Sequence, residues 1–185
     1  NLNIVFVCRN HNGSLIDLIK NEFKVLLLSE KKIKKVKSSP YLHWLGCSQI
    51  EDAEDTLKIL IENNINLSFL VIDHYGIDKE WENFFIKKYP KKNNFKVLVI
   101  DDLYNRNHIC DFLFDQNIIE KSNPYLTKTS NKTNFILGPY FAILSKEYIH
   151  KKNLIKNKTS VKRILIFFSG VDKNNLTYKL ANLLC

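Results

Sequence analysis

Short runs of apolar, β-branched-rich residues alternate along the chain with stretches in which apolar positions recur every three or four residues. Leu2–Cys8 (LNIVFVC) reads as a buried strand. Ser14 then stands where it could N-cap a short helix over Leu15–Asn21, and Phe23–Leu28 (FKVLLL) is a second apolar run. The segment from Trp44 to Asp55 reads as a loop entering a helix that runs to Asn63. Its acidic residues fall in the first turn, where the helix dipole favours them. Leu67–Ile72 (LSFLVI) predicts a buried strand that ends in Asp73-His74-Tyr75-Gly76. A helix over Lys79–Lys88, apolar at Trp81, Phe84 and Phe85, is closed by Pro90. Phe95–Ile100 (FKVLVI) is the next strand and ends in Asp101-Asp102. Asp111–Phe114 is a shorter one, ending in Asp115-Gln116-Asn117. A polar loop leads to Asn134, and Phe135–Leu137 to Gly138-Pro139 and an apolar stretch ending near Leu144.

Beyond that point His150–Ser160 is Lys- and Asn-rich and without periodicity, as a linker would be. Arg163–Phe168 (RILIFF) predicts a fresh strand, followed by Ser169-Gly170-Val171-Asp172 and a helix over Asn174–Leu184. Strands that are apolar throughout, separated by helical stretches, predict a parallel sheet covered by helices on both faces, an α/β, Rossmann-like architecture. The expected organisation is a first domain over residues 1–149, a linker over 150–160, and the opening βα unit of a second domain over 161–185.

Composition narrows the class. A chain of 185 residues with 45% apolar and 25% charged residues is ordinary globular material. No apolar run approaches the ~18–20 residues of a membrane helix, and no signal peptide is visible. Met is absent throughout, which is expected of a chain that begins inside a longer gene product. The net charge of +9 raises nucleic acid as a partner, but 25 of the 28 basic residues are Lys and three are Arg: Arg9, Arg106 and Arg163. Phosphate and base recognition favours the Arg fork. With 22 Asn besides, the composition reads as codon bias rather than a basic patch, and no nucleic-acid partner is expected. Cys8, Cys47, Cys110 and Cys185 form no CxxC pair and suit neither a zinc site nor a disulfide frame, so free thiols in a reducing cytoplasm are expected.

In open parallel sheets, ligands bind beyond the carboxyl ends of the strands. The candidate chemistry is therefore Asp73-His74-Tyr75-Gly76, Asp101-Asp102 and Asp115-Gln116-Asn117, with Gly170 and Asp172 as a fourth cluster. The first places an acid, an imidazole and a phenol at one strand exit, where Gly76 lets the backbone turn closely. The bland alternative is that Asp and Asn are simply turn formers and caps. His11, His43, His108 and His150 read as structural. The run Val97–Asp102 looks like the acidic pocket of a phosphoacceptor receiver, but strands precede it and no strand-end Asp follows at the required distance. There is no GxGxxG and no P-loop. The carboxylates lack metal-ligand spacing, so neither metal nor cofactor is expected.

Several blocks together carry a resemblance. They are Asp73-His74-Tyr75-Gly76 with Trp81-Glu82, Val99–Asn117 (VIDDLYNRNHICDFLFDQN), and Gly138-Pro139 with Ala142-Ile143-Leu144. Trp44-Leu45-Gly46, Glu51–Glu54, Gly13-Ser14-Leu15-Ile16 and the Gly170-x-Asp172 turn add to them. The chain resembles, over nearly its whole length, the UDP-2,4-diacetamido-2,4,6-trideoxy-β-L-altropyranose hydrolases of pseudaminic acid biosynthesis. The resemblance implies a two-domain, glycosyltransferase-B-like fold with substrate in the interdomain cleft. The activity it implies is cleavage of the anomeric C–O bond of a UDP-sugar with inversion, releasing UDP. It gives Tyr75 the place of the family's active-site tyrosine, orienting water or hydrogen-bonding the sugar, with Asp73 and His74 in support as the other catalytic candidates. Gly13, Ser14, Gly76, Asp101, Asp102 and Asn117 become candidate substrate contacts, and Gly170 a backbone contact to the diphosphate. The family's opening strand and Gly-x-Gly-His loop have no counterpart here, and Gly138-Pro139-Tyr140-Phe141 swaps an aromatic position. The expectation is a piece that is inactive alone and binds UDP weakly. A transferase of the same fold and a non-catalytic sugar-nucleotide module are the alternatives.

Overall fold

The computed structural model describes residues 2–11, 13–32, 40–90, 94–119, 122–151, 160, 163–168, 172 and 174–184. They fall into two compact units, Asn1–Ile143 and Leu144–Cys185. The first unit holds six strands: β1 (Val5–Arg9), β2 (Lys24–Leu28), β3 (Phe69–Ile72), β4 (Lys96–Ile100), β5 (Phe112–Asp115) and β6 (Asn134–Leu137). Its helices are α1 (Ile16–Lys20), α2 (Leu42–Leu45), α3 (Gln49–Glu62) and α4 (Lys79–Lys88), with a 3-10 turn at Pro139–Phe141. All pairings are parallel. β1 pairs with β2, and β3-β4-β5-β6 form a four-stranded sheet in sequence order. The chain has an α/β, Rossmann-like fold.

Helix α3 shows how the pattern becomes structure. Its buried positions, Gln49, Asp52, Ala53, Thr56, Leu57 and Leu60, keep the spacing of one helix face. The start is fixed by a capping box. Ser48 Oγ accepts from Glu51 N–H at 3.2 Å, and Glu51 Oε2 accepts from Ser48 N–H at 3.0 Å. Helix α4 buries Trp81, Glu82 and Phe85, and the Trp81, Phe85 and Tyr89 rings stack at centroid distances of 4.8 and 5.6 Å. These side chains form one core with Val97, Val99 and Leu113 from the sheet, against which Val5 and Val7 of β1 also pack.

Arg9, at the end of β1, ties the two-stranded sheet to α3. Its Nε and Nη2 donate to Asp52 Oδ2 at 3.1 and 2.6 Å, Nη2 also to Asp55 at 2.9 Å, and Nη1 to the Ser29 carbonyl at 2.7 Å. Asp52 Oδ1 accepts in turn from Trp81 Nε1 at 3.0 Å, so one carboxylate serves β1, α3 and α4. Gly46, just past α2, has φ +76°, and a Cβ there would lie 2.2 Å from the Lys31 carbonyl oxygen, so only glycine fits.

Several expectations are corrected. Trp44 and Leu45, expected in a loop, belong to the short helix α2 (Leu42–Leu45). Ser14 caps nothing: Leu15 is the N-cap of α1, with no side-chain hydrogen bond. In the second unit, α5 (Lys146–Lys151) and α6 (Leu176–Leu184) are helical, whereas Arg163–Phe168 makes no strand. A strand is defined by a neighbour, and none pairs with it among the described residues. Asp172 caps α6, accepting from Leu176 and Thr177 N–H at 2.8 and 2.7 Å. Most of the expected linker lies outside the described residues. Among them, no helix is long and apolar enough to cross a membrane.

Replacing Arg9 with Ala strands Asp52 without its cationic partner, and a loss of about 3 kcal/mol in urea unfolding is expected. A loss below about 1 kcal/mol, the range of a surface pair, would contradict the role given to it.

Candidate functional site

Because β3 to β6 are parallel neighbours, their carboxyl ends share one edge of the sheet. Asp73-His74-Tyr75-Gly76, Asp101-Asp102 and Asp115-Gln116-Asn117 therefore leave the sheet side by side, where ligands of such folds bind.

The turn after β3 is braced by its own histidine. His74 Nδ1 accepts from Gly76 N–H at 2.9 Å, and the His74 carbonyl accepts from Ile77 N–H at 3.1 Å. Burial pushes the imidazole pKa down, so the ring is neutral, as an acceptor at Nδ1 must be. A Cβ on Gly76 would lie 2.8 Å from the Tyr41 carbonyl oxygen and 3.0 Å from His74 Cε1. His74, expected among the catalytic candidates, commits Nδ1 to this turn and so shapes it.

Tyr75 is half-buried, and its ring meets Tyr41 and Trp44 at centroid distances of 5.4 and 5.8 Å. The Asp102 carboxylate, with burial second, raises its phenol to about 12, so it stays protonated as a donor at neutral pH. Burial, and then the charge of Asp102, raise the Asp73 carboxyl. Asp73 and Asp102 are both exposed, so a neutral phenol stands at an exposed edge that carries two carboxylates, one of them with raised proton affinity. A cavity of about 380 Å³ opens beside Tyr75, lined among others by Tyr41, Leu42, Gln49, Asn105 and Asn107.

Asp101 belongs to a different layer. It is 1% exposed and ion-paired with Arg106, and was expected as a substrate contact. Arg106 Nη1 donates to the His74 and Ile77 carbonyls at 2.9 and 2.6 Å. On the other side of Asp101, His108 Nε2 faces Oδ2 at 3.8 Å, and His108 Nδ1 lies 2.7 Å from Glu82 Oε1. Burial alone would lower the His108 pKa, but the Asp101 and Glu82 carboxylates override it and raise it to about 9. Asp101 in turn is held low: burial works against this, and His108 and Arg106 prevail. Asp115 is also buried. It accepts from Tyr125 Oη at 3.2 Å and from Asn117 N–H at 2.8 Å, which makes Asn117 an exposed turn residue.

Gly13, with φ +82°, and Ser14 stand exposed on the loop after β1. No hydrogen bond among the described residues joins them to the Tyr75 cluster. Gly170 lies outside the described residues. Among those described, no three His, Cys, Asp or Glu side chains gather as a metal site. The sequence reading missed Arg106, Glu82 and the His108 ion pair. One signal for Arg106 was present: in a chain that uses Lys almost everywhere, an Arg marks a place where a fork is needed.

Fold and site together define a parallel α/β protein with an aromatic and acidic cleft at the strand ends. No family model matches the chain. In an alignment of 168 positions that covers 81% of its length, it is 29% identical to the uncharacterized protein MJ1062 of Methanocaldococcus jannaschii, 30% of which is covered. The chain thus spans less than a third of that relative.

Gly76→Ala is expected to cost about 1–3 kcal/mol by overpacking, read by urea unfolding. A neutral outcome would show that the turn relaxes freely. The His108 proton predicts a second effect. With a folded pKa of about 9 against ~6.5 unfolded, its stabilisation is complete below ~6.5 and is lost as pH rises toward 9. Thermal stability of the wild-type chain should fall across that window more steeply than that of His108→Gln, and equal slopes would refute the assignment.

Proposed function

We propose that this chain is the amino-terminal part of a cytoplasmic UDP-sugar hydrolase. Its reaction breaks the anomeric C–O bond of a UDP-linked 2,4-diacetamido-2,4,6-trideoxy sugar with inversion, on the route to pseudaminic acid. The observation that supports this is Tyr75. It is a half-buried, protonated phenol at the carboxyl edge of the sheet, its proton held by the charge of Asp102 nearby, in the sequence block that carries the resemblance.

In this reading water attacks the anomeric carbon on the face opposite UDP. The C–O bond electrons leave with the diphosphate, and the water proton passes to a carboxylate. Asp73 and Asp102 are the accessible acceptors, and the raised proton affinity of Asp73 suits it to the task. Tyr75 donates to a sugar oxygen near the reacting centre and keeps its proton, while Tyr41 and Trp44 offer apolar faces to the ring. UDP is a good leaving group and needs little general-acid help.

The test is release of UDP by a longer protein containing this chain, without any acceptor. Tyr75→Phe should lower kcat on the order of 100-fold while the protein stays folded. Release that requires an acceptor would make the protein a transferase. No release, with or without acceptor, would leave a binding module.

A further inference from the structure

We propose that Arg106 is a positioning residue for Tyr75: its guanidinium joins the loop after β4 to the Asp73–Gly76 turn and fixes the direction in which the phenol faces the cleft. The functional importance of that direction rests on the hydrolase reading above. The geometric claim does not.

Arg106 Nη1 donates to the His74 carbonyl at 2.9 Å and the Ile77 carbonyl at 2.6 Å, the two carbonyls that bracket Tyr75 and Gly76. Nη2 donates to Asp101, and Cζ stands 5.6 Å from the Tyr75 ring centroid, within cation–π range. One planar group thus touches the backbone before Tyr75, the backbone after it and the ring itself. A lysine ammonium offers three donors from one point and cannot span them.

The fork is anchored in turn. Asp101 is fully buried, and its second oxygen faces His108, whose other ring nitrogen meets Glu82 on α4. Charges alternate along the row Arg106, Asp101, His108, Glu82, so each buried charge has a counterion beside it. Glu82 also accepts from Ile109 N–H, and Lys79 N–H donates to the Asn107 carbonyl at 2.8 Å, tying the same loop to α4. The loop therefore has little freedom to slide, and Arg106 passes that rigidity to the turn. Tyr75 has no comparable tie of its own: among the described residues no hydrogen bond holds its hydroxyl, and its ring meets only Tyr41 and Trp44 beside the guanidinium. A phenol held by soft aromatic contacts alone would sample several rotamers unless its backbone and one ring face were fixed.

Fluorotyrosine placed at position 75 of this chain reports the ring directly by fluorine NMR. The wild-type chain should give one narrow resonance displaced from that of free fluorotyrosine. Arg106→Lys, still unfolding cooperatively, should broaden that resonance and move it toward the free value, while a label at the 92%-exposed Tyr140 stays unchanged. An unaltered Tyr75 resonance in folded Arg106→Lys overturns the proposal. Should the variant not fold, the wild-type guanidinium decides. Only three Arg are present, so their Nη signals are easily separated. Slow rotation, with resolved Nη resonances, is expected at Arg106 and averaged signals at the exposed Arg163. Averaged signals at Arg106 overturn the proposal. In a longer protein that releases UDP, Arg106→Lys should lower kcat on the order of 100-fold with little change in KM, and unchanged kcat overturns the catalytic consequence. Absence of UDP release in the wild type refutes the hydrolase reading alone and leaves the NMR result to judge the geometry.

Discussion

Four charges, those of Arg106, Asp101, His108 and Glu82, lie buried in a row at the carboxyl edge of the four-stranded sheet. Burying any one of them alone would cost several kcal/mol, so each constrains its neighbour. Asp101 is placed by β4, Glu82 by α4, and Arg106 and His108 by the loop between β4 and β5. Pairing them fixes a loop that a short polar sequence would otherwise leave mobile. Through Arg106 it also fixes the turn that carries Tyr75. The exposed groups of that edge, Asp73 and Asp102, and the half-buried Tyr75 stand on that buried layer.

The same logic operates at the end of β1. Arg9 is the guanidinium there, and Asp52, shared with the Trp81 indole, is the carboxylate. In both places an arginine fork joins elements far apart in sequence, and a carboxylate near a strand or helix end receives it. Lysine, which supplies nearly all the other positive charge, is left to exposed positions such as Lys58 and Lys96. The acidic residues at the strand tips thus divide by burial. Asp101 and Asp115 hold the structure together, while Asp73 and Asp102 remain available to a ligand.

This division explains how much could be read in advance. Apolar runs such as Leu67–Ile72 and Phe95–Ile100 announce strands because a parallel sheet buries both faces, and the polar residues that follow mark its carboxyl edge. The fold class and the Tyr75 turn were legible for that reason. What escaped were long-range pairings and local competition. Nothing near Asp101 says whether it is buried, because its partners come from the loop and α4. The bond from Gly76 N–H that engages His74 Nδ1 cannot be read from composition. Ser14 resembles a cap, but the helix starts one residue beyond the position a cap there would need. Arg163–Phe168 reads as a strand by pattern, yet strand formation depends on a partner. The four-residue α2 is too short to show periodicity.

The central claim is that the strand tips around Tyr75 form one ligand-binding face, and amide NMR tests it most directly. The isotope-labelled chain would be titrated with millimolar 2,4-diacetamido sugar, free and UDP-linked. The account predicts shifts concentrated at Tyr75, Gly76, Asp102 and the neighbouring loop through Asn107, growing together with one apparent affinity. Shifts scattered over unrelated surfaces, or a silent Tyr75 region at saturating ligand, would contradict it.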